Sequence, residues 1–389
     1  MGKTCLVLFA LVAVACQPSS APSPTRAESG AFVVRLGTDT VGVDQYTRAG
    51  DRIEGTFVQR APRAIVTRYT IRLNSAGLPT LWEITQRLPD GSVVPNAARS
   101  ATMTFTGDSA ITQIQRDTMI TRRVAARAAF PYINFAVSLF QWPVAALRTA
   151  NRDSAMYAII GVAGNTPTPI SVVRKGTNRY WVIIGGFPYE VTTDDDGRVQ
   201  IVDGARTTQH IAARRQSAAD VAAIATKFAE RERQTRAMGS LSPRDTVNAT
   251  VGPAQLWVDY GRPSTRGRRV FSANGVLGDS IWRTGANAAT QFRTSVPLTI
   301  AGQMIPAGMY TLWTVAVPGR YQLIINKQVG QWGTEYKSDQ DLVRVPLQMT
   351  TLAQPVDRFT ILVDPAGANA GVLRLRWDNT ELSVPFTTP

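Results

Sequence analysis

Few residues in this chain can support catalysis by a nucleophile or a metal. The chain has one histidine, His210, and its two cysteines, Cys5 and Cys16, both lie close to the N-terminus. A Ser-His-Asp triad needs a histidine to shuttle its proton, and a catalytic zinc site usually needs at least two imidazole or thiolate ligands. Because His210 lies at a predicted strand end, we expect a surface or half-buried residue there. The sequence therefore predicts no metal site, no cofactor and no catalytic residue among these side chains.

Carboxylate side chains leave one catalytic route open. Glycosidases act through a pair of Asp or Glu residues roughly 5–10 Å apart. The acidic candidates in the second half of the chain are Asp259, Asp279, Glu335 and Asp341. A carboxylate-dependent hydrolase of glycans is therefore an alternative, which requires that two of these side chains face each other across an open cleft.

A second group of polar residues indicates binding. Arg283 and Asn287 share one short loop, while Asp259 and Arg262 lie together at the end of a predicted strand. Arginine and aspartate beside an asparagine amide can form a pocket for a carboxylate, a phosphate or a sugar hydroxyl. These four residues are the candidate ligand-binding residues of the chain.

The same four residues also allow a purely structural role, which we favour. In that interpretation Arg283 pairs with Asp259 and Asn287 bonds to loop backbone, because buried polar groups need partners. No nucleophile, metal set or phosphate loop accompanies the cluster. If Arg283 and Asp259 form a buried pair, Arg283→Ala is expected to cost about 3–5 kcal/mol of stability.

The N-terminus predicts export. Lys3 precedes an uncharged run over residues 4–15, which is shorter than the roughly 20 residues that span a bilayer. The small residues Ala13-Val14-Ala15 match a signal cleavage site, and with Cys16 they resemble the signal of a bacterial lipoprotein. We therefore expect a signal peptide over residues 1–15, lipidation of Cys16 and a Pro- and Ser-rich tether over 16–30. The mature protein would be anchored in the envelope, in the outer membrane or facing the periplasm; ordinary cleavage and secretion is the alternative.

The charge of the chain is strongly positive. Lys and Arg number 42 against 28 Asp and Glu, a net charge of +14, and most of the basic residues are arginine. An anionic envelope polymer or lipid headgroup is one partner that fits this charge. A GC-rich genome that encodes basic residues as arginine is the alternative explanation, and we favour it. We expect no nucleic acid, since no basic helix or aromatic platform motif is present.

Hydrophobic periodicity predicts a mainly β protein. Apolar and polar residues alternate in many short segments that are separated by turn residues. We expect an antiparallel β domain over residues 31–213 with one internal helix in 130–148, and a connector helix over 214–240 that begins at a capping box, Ser217 to Asp220. A β-sandwich follows over 248–389.

Five motifs of the C-terminal region form a recognisable series. In chain order they are Val258–Ser264, Ile281–Thr290, Pro306–Leu312, Gln331–Gly333 and Trp377–Thr380. Together they resemble the bacterial envelope family catalogued as domain of unknown function 2911. The resemblance implies a secreted β domain and supplies no activity. Asp378 stands where that family more often has glycine.

These observations predict a lipid-anchored, two-domain envelope protein with a binding or interaction role and no catalysis. Its partners would be the membrane, through the anchor, and an anionic envelope polymer or a small anionic or sugar ligand. Besides the hydrolase, a carrier of apolar ligands through the first domain is an alternative. A deep apolar cavity under Phe135, Phe140 and Trp142 would favour that carrier.

Overall fold

Two large β-sheets make up most of the protein. The computed structural model describes residues 27–164, 166–207, 209–234, 241–272, 275–278 and 281–389. The prediction of a mainly β fold is confirmed. The predicted signal and Cys16 lie outside the described residues. No helix within these ranges has the length and apolar character needed to cross a bilayer.

The first sheet has 15 strands in the order β8-β7-β6-β5-β4-β3-β2-β1-β15-β14-β13-β12-β11-β10-β9. Its pairings are antiparallel except between β9 and β10. The strands are β1 (Glu28–Leu36), β2 (Asp39–Ala49), β3 (Arg52–Gln59), β4 (Ile65–Leu73), β5 (Pro79–Arg87), β6 (Ser100–Thr106), β7 (Ser109–Gln115), β8 (Met119–Ala125), β9 (Ala129–Tyr132), β10 (Ser154–Gly161), β11 (Thr168–Gly176), β12 (Arg179–Ile184), β13 (Phe187–Thr193), β14 (Val199–Asp203) and β15 (Ile211–Gln216). The sheet therefore begins at Glu28, inside the segment predicted as tether.

One helix packs into the core of this sheet. A 3-10 turn over Val137–Phe140 leads into α1 (Gln141–Thr149). Trp142 is buried in a core that also contains residues of strands from both halves of the sheet, so the sheet curls around the helix. The helix begins later than the predicted 130–148, because Phe130 lies in β9.

The connector helix is shorter than predicted. It is α2 (Val221–Gln234), and residues 235–240 lie outside the described part of the chain. The backbone N–H of Ala223 donates to the Asp220 carboxylate at 2.9 Å, so Asp220 caps the helix and the predicted capping box from Ser217 is wrong. Phe228 packs with Ala225 on the outer face of the first sheet.

The second sheet is folded into a sandwich. Its strand order is β16-β17-β18-β21-β22-β23-β24-β19-β20. The strands are β16 (Arg244–Val251), β17 (Ala254–Gly261), β18 (Thr290–Thr294), β19 (Leu298–Ile300), β20 (Gln303–Ile305), β21 (Gly308–Val317), β22 (Arg320–Asn326), β23 (Asp341–Gly367) and β24 (Ala370–Thr387); a 3-10 turn covers Ser338–Gln340. The first part of β23 pairs with β22 and the rest with β24, and both pairings contain register shifts. A bulged strand bends in this way, and one core joins the two halves.

Asp39 at the start of β2 links the two sheets. Its carboxylate binds Arg60 at 3.1 Å and Arg231 of α2 at 3.9 Å, and it also accepts a hydrogen bond from Arg266 of the second sheet's loop. The neighbouring backbone N–H of Thr38 donates to the Arg266 carbonyl at 2.9 Å. Burial alone would raise the pKa of Asp39, but Arg60 and Arg266 together lower it.

We predict that Asp39→Asn destabilises the protein by about 3 kcal/mol, because three arginines lose one shared counter-charge. Thermal or denaturant unfolding measures this loss. Asp51→Asn is the matched control, since its ion pair with Arg72 is exposed on both sides and should contribute less than about 1 kcal/mol. Equal stability of the two variants would show that Asp39 does not hold the sheets together.

Candidate functional site

The loop between β17 and β18 that carries Arg283 is held by backbone and threonine bonds. Trp282 exchanges both backbone hydrogen bonds with Thr314, at 2.8 and 2.7 Å. The Thr284 and Thr314 hydroxyls lie 2.8 Å apart, and the Thr290 hydroxyl donates to the Thr284 carbonyl at 2.7 Å. Arg283 therefore projects from a loop that is fixed at both ends.

Glycines of two of the five family-like motifs, Gly261 and Gly333, lie against this loop. A Cβ at Gly261 would lie 2.2 Å from the carbonyl oxygen of Ala286, and one at Gly333 would lie 2.0 Å from Arg283 Cδ. The backbone N–H of Gly333 donates to the Asn287 carbonyl at 3.0 Å. Glycine is needed at both positions because neighbouring chain segments approach too closely for a side chain.

The Arg283 guanidinium makes no hydrogen bond and no ion pair with any other residue in the described part of the chain. The residue is only 9% exposed, and Nε is fully buried. Burial lowers the pKa of Arg283 to about 10, and no carboxylate acts against this effect. Buried arginines are normally paired with an acid or hydrogen-bonded. The Arg283 guanidinium lacks such a partner within the described residues, so an anion bound beside it would be stabilised.

The predicted pairing of Arg283 with Asp259 is wrong. The Asp259 carboxylate is bound by Arg244, with Nη2 to Oδ2 at 2.6 Å and Nε to Oδ1 at 3.0 Å. Asp259 and Arg244 lie on paired strands, two positions apart across the β16–β17 register. Because Arg244 binds the Asp259 carboxylate through two nitrogens, Arg283 does not form the expected ion pair with Asp259.

The other two candidate residues have different roles. Arg262 is held by the carboxylate of Asp245 at 2.8 Å, the Phe359 carbonyl at 3.0 Å and the Thr360 hydroxyl at 2.8 Å, so its donors serve to join strands. Asn287 lies at a φ of 65°, which asparagine tolerates, and its amide donates to the Ser242 carbonyl at 3.4 Å.

A cavity of about 650 Å³ lies between the two sheets, and Arg283 lines it. We call it the intersheet cavity. Its walls include three arginines and no Asp or Glu among the described residues that line it. The residues that define it, from both sheets, are Leu36, Ala61, Pro62, Tyr132, Asn134, Phe135, Thr168, Ile184, Gly185, Phe187, Tyr189, Thr207, Gln209, Leu241, Ser242, Pro263, Ser264, Arg266, Arg268, Val276, Trp282, Arg283, Gly285, Ala286, Asn287, Trp332, Thr334 and Trp377.

The other two arginines of the cavity are engaged with the protein. Arg268 donates to the backbone carbonyls of Ser264 at 2.7 Å and Thr265 at 2.9 Å. Burial first, and then the charge of Arg266, lowers the pKa of Arg268 to about 10. Arg266 is paired with Asp39, so Arg283 alone among the three lacks a partner within the described residues.

His210 lies beside this region, just before β15, with φ of 51°. It is half-buried, as predicted. Burial lowers the pKa of His210, and the charge of Arg268 lowers it further. The imidazole is therefore neutral at physiological pH and adds no charge to the cavity.

Sequence reasoning found Arg283 and Asn287 but missed most of the cavity. Arg266 and Arg268 follow the Val258–Ser264 motif without forming part of it, and Trp332 lay inside a motif whose side chains were not singled out. The cavity wall from the first sheet comes from segments distant in sequence, such as the one that carries Phe135, and no local pattern connects these segments with Arg283.

Comparison with known proteins supports the family resemblance. Residues 242–386 match the family described as "Protein of unknown function (DUF2911)". No curated protein sequence matches the chain. Among solved structures, a DUF1089 family protein from Pseudomonas aeruginosa has 12% identity and a TM-score of 0.34, and the match covers 41% of this chain and 88% of that one. A β-barrel-like protein of domain of unknown function DUF1849 from Brucella abortus has 10% identity and a TM-score of 0.32, with 49% and 95% covered.

Proposed function

We propose that this protein binds a small organic anion in the intersheet cavity, with Arg283 as the counter-charge. The observation that supports the proposal is the buried guanidinium without a partner in the described part of the chain, on the wall of a cavity that holds no described carboxylate. A largely desolvated guanidinium forms its strongest hydrogen bonds with an anion that can accept two of them, such as a carboxylate or a phosphate. Binding such an anion satisfies the guanidinium without any change in the fold.

The arrangement of acidic residues favours binding over glycan hydrolysis. Asp259 is bound by Arg244, and Asp341 is bound by Tyr336 and Arg344. Glu335 is exposed, and none of these three residues lines the intersheet cavity. Asp279 lies outside the described residues, so two facing carboxylates are not available within the described part of this site.

The packing of the first domain also favours binding between the sheets over a carrier of apolar ligands. Beneath Phe135 and Phe140 the free space is only about 10 Å³, at most enough for a single water. Trp142 is 1% exposed and packs edge-on against Tyr46 with ring centres 5.6 Å apart. The first domain therefore contributes one wall of the site, and its core is closely packed around Phe135, Phe140 and Trp142.

A thermal-shift experiment tests the proposed function. The wild-type protein and Arg283→Met are heated with a panel of carboxylates, phosphates and neutral analogues of similar size. A ligand at 100 times its Kd adds about 2.7 kcal/mol of stability, so anions should raise the Tm of the wild type and leave that of Arg283→Met unchanged. Arg293→Met, at an exposed position of β18, removes the same charge and should respond like the wild type. An identical response of all three proteins would refute the proposal.

We further propose that the protein acts in the cell envelope, held there by a lipid on Cys16. The signal-like residues before Cys16 support this location. Cys16→Ser is expected to move the protein from the detergent-rich to the aqueous phase of a detergent partition, because the lipid supplies its membrane affinity. If both proteins partition into the aqueous phase alike, the anchor is refuted.

A further inference from the structure

We infer that the anion bound in the intersheet cavity is an anionic sugar, that is, a mono- or disaccharide that carries a carboxylate or a phosphate group. This inference rests on the proposed function and adds the chemical class of the ligand. It depends on the side chains around Arg283, which supply an aromatic surface and several hydrogen-bond donors.

Trp332 provides the aromatic surface. It lines the cavity and is 51% exposed, although large aromatic side chains usually bury most of their area. It lies next to Gly333, whose backbone contacts both Arg283 and the Asn287 carbonyl. An exposed indole beside a buried guanidinium suits a ligand with one flat apolar face and one anionic group, as a pyranose acid has.

Two amides on the opposite wall act as donors. The Asn134 side-chain oxygen accepts from the Tyr132 hydroxyl at 3.2 Å, and the Gln209 side-chain oxygen accepts from the Tyr189 hydroxyl at 3.1 Å. Each oxygen is thus engaged, which leaves the NH₂ group of each amide as a donor. The walls therefore present donors to a ligand rich in oxygen acceptors.

The same composition disfavours a fatty acid or another acyl anion. The wall also carries apolar side chains such as Leu36, Ile184 and Leu241, but an acyl chain in the cavity would still cover amides and hydroxyl groups, which lose their hydration on contact with an apolar ligand without gaining hydrogen bonds. A sugar satisfies these groups through its hydroxyl and ring oxygens. The volume of about 650 Å³ falls in the range that holds drug-sized ligands, so one or two sugar rings fit.

Calorimetric titration of the full chain tests the inference with four probes: digalacturonate, glucose 6-phosphate, a neutral disaccharide and decanoate. We expect at least one of the two anionic sugars, digalacturonate or glucose 6-phosphate, to bind. The neutral disaccharide and decanoate should not bind. Trp332→Ala should weaken that binding about ten-fold or more, because the sugar ring loses the aromatic surface on which it stacks. Trp257→Ala is the matched control, since this half-buried tryptophan lies on β17 outside the cavity and should bind like the wild type.

The outcomes separate the ligand class from the proposed function. If decanoate binds in a manner that depends on Arg283 and neither anionic sugar binds, the sugar inference is overturned and the proposal of anion binding stands. If an anionic sugar binds and Trp332→Ala does not weaken its binding, the inferred stacking on Trp332 is also overturned. If no anion binds in a manner that Arg283→Met abolishes, both the inference and the proposed function fail.

Discussion

Replacing Arg283 with methionine is expected to raise the free energy of unfolding of the ligand-free protein by about 1–3 kcal/mol. Burial lowers the pKa of this guanidinium from 12.5 to about 10, which corresponds to about 3 kcal/mol at 1.36 kcal/mol per pKa unit. Methionine keeps an unbranched apolar stem and removes the buried charge. Replacing buried ionic groups by apolar residues of similar volume often stabilises proteins by a similar amount.

This expectation has the opposite sign to the one that a buried Arg283–Asp259 pair would give. Breaking such a pair would leave a buried carboxylate without a counter-charge. In the Arg283→Met variant, however, Asp259 remains paired with Arg244. Denaturant unfolding of wild type, Arg283→Met and the exposed control Arg293→Met measures the difference. A loss of more than about 1 kcal/mol in Arg283→Met alone would mean that the guanidinium is satisfied in the free protein. A stabilised variant that no longer binds anions would show that the site costs stability.

The second large effect is a pH dependence that comes from Asp44 in β2. Its side chain is fully buried and accepts hydrogen bonds from the Ser138 and Tyr69 hydroxyls, the latter at 3.1 Å. Burial raises the pKa of Asp44 from 3.8 to about 6, although the two hydroxyl bonds act in the opposite direction. The carboxyl group ties the turn before α1 to strands β2 and β4.

The direction of the effect follows from proton binding. Between about pH 4 and pH 6 the unfolded chain has already lost the Asp44 proton while the folded chain still holds it. Stability therefore falls as the pH rises through this window and levels off above the folded pKa. A shift of about two units corresponds to about 3 kcal/mol.

Asp44→Asn removes this titration while keeping the shape of the side chain. The stability of the variant relative to the wild type should increase by about 3 kcal/mol from pH 4 to pH 7, measured by denaturant unfolding at each pH. Asp153→Asn is the control, because that carboxylate is 96% exposed, and its difference from the wild type should not vary with pH in this way. Parallel pH profiles of Asp44→Asn and the wild type would show that the buried carboxyl titrates normally.

Local patterns in the sequence were sufficient to predict most strands and their turns. Leu373, Leu375 and Trp377 alternate with arginines and are buried in the sandwich core. The small residues Ala301 and Gly302 form the turn that joins β19 to β20. Asp378, at the position where the family more often has glycine, has a φ of 55°, which explains the preference for glycine there.

The partners of the polar residues could not be predicted in the same way. Arg244 reaches Asp259 because of a strand register, and Asp39 meets Arg266 because two sheets pack together. Both depend on how distant surfaces meet, which a single sequence does not encode in its local periodicity. The helix predicted from Phe130 failed for a related reason: β9 pairs with β10, and this long-range pairing prevails over the helical spacing of its apolar residues.

A crystal structure of the protein grown with an anion selected in the thermal-shift panel would test the central claim most directly. We predict electron density for the anionic group with oxygens about 3 Å from the Arg283 guanidinium nitrogens, and the rest of the ligand in the intersheet cavity. A ligand bound elsewhere, with the guanidinium held instead by a carboxylate of the chain itself, would contradict the proposal that Arg283 is an anion-binding residue.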